Sequence, residues 1–139
     1  GAKFGVRRLL RQDEVGLDTD KGPMLLGLAH GWVGPTWVEI IRPIDGSVAI
    51  YRDWLSAGAT FRFHHIAVRA PDDQAYDQAV EETEAAHHPI SFRVANQAFR
   101  AFYADTVKDL GHYIEYLHFF DTSFFQNIPQ NVEGEAIPS

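Results

Sequence analysis

Apolar and polar positions divide the chain into two groups of elements. In the first, Phe4 to Gln12 reads as a strand with basic flanks. Asp13 to Gly22 is polar and acidic with two glycines, which predicts a loop. Pro23 to His30 (PMLLGLAH) is apolar and of strand length, and Gly31 and Gly34-Pro35 punctuate it. Thr36 to Pro43 (TWVEIIRP) is rich in β-branched and aromatic residues and predicts a strand ended by proline. Ile44 to Ser47 predicts a turn, and Val48 to Leu55 a short helix with Ser47 as N-cap.

The second group begins with Phe61 to Ala70 (FRFHHIAVRA), a predicted strand. Pro71-Asp72-Asp73 opens a helix, because proline and acids suit the first turn and its dipole. Tyr76, Ala79, Val80 and Thr83 recur at helical spacing, so the helix runs to about Ala86, and Pro89 prevents its continuation. Ile90 to Val94, Ala98 to Ala104 and His112 to Phe119 predict three strands. The order is strand, helix, strand, strand, strand. The tail from Asp121 holds Phe124, Phe125 and Ile128 before it turns polar, and is expected to pack briefly and then fray.

A weak internal repeat links the two groups. Trp37-Val38-Glu39-Ile40-Ile41 and Tyr113-Ile114-Glu115-Tyr116-Leu117 share the order aromatic, aliphatic, Glu, any, aliphatic. The two glutamates stand 115 − 39 = 76 positions apart, half-domain spacing. Alternation along a strand puts Glu39 on a face with Trp37 and Ile41, and Glu115 with Tyr113 and Leu117. A carboxylate on an apolar face is costly unless paired. One such Glu reads most simply as a partner of an Arg or as solvent-facing; two in matching positions point to a shared site. The same offset carried back from His65 falls before Gly1, so the first module is expected to lack its opening strand and most of its helix. The exposed edge and apolar faces left behind predict a homodimer.

Composition narrows the chemistry. The chain has 139 residues, 45% hydrophobic and 22% charged, a globular balance for one domain. A formal net charge of −7 disfavours nucleic acid and anionic membrane partners. There is no cysteine, which excludes disulfides, thiolate metal sites and cysteine nucleophiles, so any metal must be held by His, Asp, Glu or other oxygen donors. No apolar run approaches the roughly 20 residues of a membrane span. No leader is visible at Gly1, and a cytoplasmic location is the default expectation. Glycine-rich phosphate loops and G-x-S-x-G elbows are absent from the sequence.

Within FRFHHIAVRA, alternation places Phe63, His65 and Ala67 on one face and His64, Ile66 and Val68 on the other. The second set is more apolar and is expected under the helix. His65 then faces the side to which Glu115 also points. One His and two Glu make an N/O ligand set suited to zinc, iron, manganese, cobalt or nickel. Phe63, Trp37, Tyr103 and Tyr113 are candidate pocket residues, and Arg69 or Arg100 could meet an anionic substrate group. His30 could line the mouth. His87-His88 reads as helix-end capping, and His112 and His118 share the face opposite Glu115.

FHHIAVRAPD, a helix, and then AFRAFYADTVKDLGHYIEYL resemble the vicinal oxygen chelate superfamily, the group of glyoxalase I, methylmalonyl-CoA epimerase, the extradiol dioxygenases and the bleomycin-resistance proteins. WVEIIRPIDGSVAIYRDWL followed by HHIAV looks most like the epimerase and glyoxalase-like branch. The resemblance runs roughly from Gly22 to Phe120. It implies an α+β fold of paired βαβββ modules forming an open, cup-shaped mixed sheet. Residues 1–60 would form the incomplete first module and linker helix, 61–120 the second module, and 121–139 a tail. It also implies a divalent metal held by Glu39, His65 and Glu115, with a fourth ligand, on the absent opening strand, that has no counterpart in this sequence; the site is therefore expected to be incomplete. Many members of the family are dimeric. The activity implied is an isomerase or lyase step on a small-molecule substrate, with Glu39 or Glu115 moving a proton next to a carbonyl. The alternatives are a metal-free binding protein of the bleomycin-resistance kind, an extradiol-type dioxygenase and a degenerate structural protein.

Overall fold

The computed structural model of the protein describes residues 11–33, 36–55 and 58–121. Most of the strand expected over Phe4 to Gln12, the Gly34-Pro35 turn and the tail beyond Asp121 lie outside them. Among the described residues seven strands form one curled mixed sheet: β1 (Arg11–Thr19), β2 (Gly22–Val33), β3 (Thr36–Gly46), β4 (His65–Arg69), β5 (Ile90–Ala95), β6 (Phe99–Ala104) and β7 (Tyr113–Phe119). Their spatial order is β3-β2-β1-β5-β6-β7-β4. All neighbours are antiparallel except β4 and β7, which run parallel with Ala67 opposite Glu115. Among the described residues three short or medium helices accompany the sheet: α1 (Ala49–Arg52), α2 (Asp73–Ala85) and α3 (Val107–Leu110). Among the described residues no helix is long and apolar enough to cross a membrane.

β1 corrects the expected loop over Asp13 to Gly22. The segment is acidic, but its exposed residues Glu14, Gly16 and Asp18 alternate with the half-buried Val15, Leu17 and Thr19. Period-two alternation is enough for a strand whose second face is wet. A two-residue turn at Asp20-Lys21 joins it to β2, with Gly22 at φ +112°. The expected turn over Ile44 to Ser47 starts later, because β3 continues through Gly46, a register shift at Leu25/Leu26 accommodating the strand end. A Cβ at Gly46 would run into the Pro23 carbonyl. Ser47 does not cap α1. Val48 holds that position, and the Ser47 hydroxyl donates to the Lys21 carbonyl at 2.8 Å.

The sheet has two working faces. On the inner face, α1 drops Val48 and Tyr51 onto Met24, Leu26, Phe92, Val94, Ala101, Tyr103 and Leu117, a core drawn from both halves of the sheet. On the outer face, α2 presses Tyr76 and Ala79 onto Phe102 and Ala104. Burying a ring such as Phe102 stabilises the fold by about 1.5–3 kcal/mol. Asp72 caps α2, its carboxylate accepting from the Ala75 N–H at 2.8 Å. The halves meet where Thr19 of β1 pairs with Val94 of β5, a junction tied by Asp20, whose N–H donates to the Arg93 carbonyl and whose carboxylate accepts from the Arg93 N–H.

The outer face corrects one expectation. Ile66 and Val68 are 49% and 42% exposed and not under the helix. β4 is the edge strand beyond β7, and α2 covers β6 and β7 instead.

Candidate functional site

Three strands bring the predicted donors together on the inner face. β7 carries Glu115, β4 carries His65 and β3 carries Glu39. His65 Nε2 lies 3.4 Å from Glu115 Oε2 and 4.0 Å from Glu39 Oε2, so carboxylates from opposite halves of the sheet converge on one imidazole nitrogen. His65 and Glu115 are largely sheltered, and the Glu39 side chain is about a quarter exposed. The other oxygen of Glu39 accepts from His30 Nε2 at 2.8 Å. His30 is the cross-strand neighbour of Glu39, as Tyr103 is of Glu115.

Electrostatics follow from that convergence. Burial pushes the Glu115 carboxyl up, His65 opposes the rise, and the nearby charge of Glu39 adds to it. Burial pulls the His65 imidazole down, but contact with Glu115 and the charges of both glutamates outweigh it and hold the imidazole above its ordinary value. The cluster thus attracts a positive charge between its two carboxylates.

His64 corrects the alternation argument. Regular strand begins only at His65, so His64 does not share the outer face of Ile66 and Val68. Its ring lies on the inner side, against Tyr51 at 4.9 Å and Tyr113 at 5.0 Å between ring centres. Its Nε2–H donates to the Ile50 carbonyl at 3.1 Å, and its Nδ1 is 3.0 Å from His65 Nδ1. Burial first, then the neighbouring His65, lowers its pKa to about 4.

The aromatic candidates divide. Tyr103 is buried beside His65, with ring centres 5.0 Å apart, and shares a hydroxyl–hydroxyl hydrogen bond of 3.1 Å with Tyr51. Burial raises both phenols, so they stay protonated. Trp37 stacks on His30 at 5.2 Å, and Tyr113 lies 5.2 Å from Trp54. Phe63 lies in the segment before β4, 55% exposed, with its edge toward His112; the strand expected from Phe61 does not include it. Arg100 lies on the other face. Its guanidinium pairs with Asp73 at 2.8 Å and Asp77 at 3.0 Å and lies over Tyr76, so it holds α2 to the sheet and does not reach the inner cluster.

Sequence reasoning missed Tyr51 and His64 and gave His30 only a place at the mouth. The signal for Tyr51 was its i, i+3 spacing from Val48 in a predicted helix. No sequence signal fixed the turn of His64, since that depends on where β4 starts. The donor chemistry, one imidazole nitrogen and two carboxylates, fits a divalent first-row ion. Among the described residues, however, no three His, Asp or Glu side chains stand ready-made as a metal shell. Within the cluster, His30 and Glu39 are hydrogen-bonded, while His65 stands at ion-pair distance from both carboxylates. No protein-family model matches the chain, and no curated protein matches it.

Proposed function

We propose that the protein is a divalent-metal-dependent enzyme of the glyoxalase and epimerase type, built on paired βαβββ modules, that moves a proton next to a carbonyl of a small molecule. The observation that carries this reading is the convergence of Glu39 and Glu115, from separate halves of the sheet, on His65 Nε2. A cation held between these two sheltered carboxylates would offset the cost of burying them. His65, Glu39 and Glu115 would hold zinc, iron, manganese, cobalt or nickel. Such an ion, when bound, supplies polarisation of a carbonyl oxygen. The chain's own residues do the rest. Glu39 or Glu115 would take the proton next to the carbonyl and return it. Tyr103, Tyr113 and Trp37 wall the site and limit water. The exposed Ile66, Val68 and Ile40 support a homodimer.

One observation favours a second reading. The His30–Glu39 and His65–Glu115 contacts pair both carboxylates without an ion, as a metal-free binding module of the bleomycin-resistance kind would. Metal analysis after incubation with each of the five ions and removal of excess separates the two. Stoichiometric metal in the parent, lost in Glu115→Ala, is expected of the enzyme. No retained ion in either protein makes the binding module the better reading.

A further inference from the structure

Behind His65, on its Nδ1 side, two groups follow one another, the His64 ring and the Ile50 carbonyl. The Ile50 carbonyl, in the short helix α1, can only accept, so the atom that meets it at 3.1 Å, His64 Nε2, carries hydrogen. A neutral His64 then presents a bare Nδ1, and this atom lies 3.0 Å from His65 Nδ1. Two bare nitrogens at that distance would repel, so the hydrogen between them belongs to His65. Tyr51, Trp54 and Tyr113 pack around the His64 ring and hold it in this orientation.

We infer that His64 is a positioning residue that fixes His65 with its hydrogen on Nδ1, leaving its Nε2, the nitrogen that faces Glu39 and Glu115, bare to ligate an ion. The functional part of this inference rests on the proposed metal-dependent reading; the hydrogen-bond assignment does not. An imidazole ligand needs its second nitrogen anchored, and the usual anchor is a carboxylate or a backbone carbonyl. Here the anchor is a neutral imidazole, itself oriented by a carbonyl. The pair is adjacent in sequence, and it works because only His65 belongs to the strand. Glu115 alone would favour hydrogen on Nε2, the atom needed bare, and His64 opposes that preference.

The experiment has two arms. In ¹⁵N-histidine-labelled, metal-free protein near neutral pH, NMR should show a hydrogen on His65 Nδ1 coupled across the hydrogen bond to an unprotonated His64 Nδ1. Hydrogen on His64 Nδ1 with a bare His65 Nδ1, or no coupling between the two, overturns the assignment. In the second arm, Zn²⁺ affinity is compared among the parent, His64→Leu and His64→Asn. The Asn oxygen can replace the Nδ1 acceptor, whereas Leu cannot. His64→Leu should bind zinc about 10–100-fold more weakly, the usual effect of removing such an anchor, and His64→Asn should recover most of the loss. Equal affinity in all three overturns the positioning role even if the hydrogen bond is present. If the parent binds no ion, the metal-dependent reading falls, and the first arm alone decides the assignment. The parent spectrum also decides it if His64→Leu fails to fold.

Discussion

The strands β1–β3 and β5–β7 each form an antiparallel run of three, and each ends in a strand with an aromatic-aliphatic-Glu core. Their inner faces are continuous and share one apolar cluster. Their outer faces differ. Over β6 and β7, α2 buries Phe102 completely, and Arg100 reaches from the sheet to Asp73 and Asp77 of the helix. The outer face of β2 and β3 has a different surface. Arg42 lies across Gly27 toward Glu14 at 3.4 Å, both charges well exposed, and Ile40 is 38% exposed. Among the described residues no helix packs there. The lateral positions differ too, since β7 has β4 parallel beside it and, among the described residues, β3 ends the sheet. The comparison separates two tasks. The shared inner face positions the carboxylates, while stability is concentrated where both faces of the sheet are covered.

That difference predicts a large asymmetry in mutational cost. Phe102→Ala removes a fully buried ring from between α2 and the sheet and should cost about 3–5 kcal/mol in urea unfolding. Ile40→Ala, on the other half, should cost under about 1 kcal/mol, because its side chain already meets water. Equal losses would mean that the two outer faces are alike in solution and would break the comparison.

A smaller effect is expected at the start of α2. Asp72→Ala removes the carboxylate that accepts from the Ala75 N–H and should cost about 1 kcal/mol by the same measurement. The loss should appear as unfolding of the whole sheet half, since α2 is its outer layer. Loss of helix signal with the sheet transition unchanged would show that the helix is dispensable to β5–β7.

The covered half was the more legible in sequence, for physical reasons. α2 was marked by Pro71-Asp72-Asp73, although Asp72 stands there as the N-cap and the helix starts at Asp73, and by the spacing of Tyr76, Ala79 and Thr83, all buried as that spacing requires. The strands β5–β7 stood close to their apolar runs. β1 was hidden because its composition is acidic, although its alternation was present in Val15, Leu17 and Thr19. Alternation also placed Glu39 and Glu115, whose neighbours two residues away point the same way. It failed at His64 and Phe63, because a period-two rule holds only inside a strand and β4 starts at His65. Ile66 and Val68 were apolar enough to suggest burial, but burial at a sheet edge depends on how far the helix reaches. Alternation did signal the side of Arg100, since it stands three positions from Tyr103 in one predicted strand. Its partners on α2 were not legible, and the strand register sets it opposite His118 and away from Glu115.

The smallest effect on unfolding should come from Ile40→Ser. Ile40 sits on β3, the strand that ends the sheet among the described residues, and is exposed by more than a third. An exchange at such a position, away from caps and buried networks, usually changes stability by no more than about 0.5 kcal/mol. The homodimer proposal adds a second readout. If a second copy covers this face, the serine hydroxyl is forced into an apolar contact, and the dimer loosens while the monomer does not. Light scattering over a dilution series should then show Ile40→Ser dissociating at higher concentration than the parent, with monomer unfolding unchanged. The same series on Ile66→Ser tests the opposite edge, where Ile66 is half exposed on β4. Dissociation by Ile40→Ser alone assigns the interface to the β3 side, and by Ile66→Ser alone to the β4 side. A parent that is monomeric throughout the series removes the homodimer and leaves both apolar edges as features of a single chain.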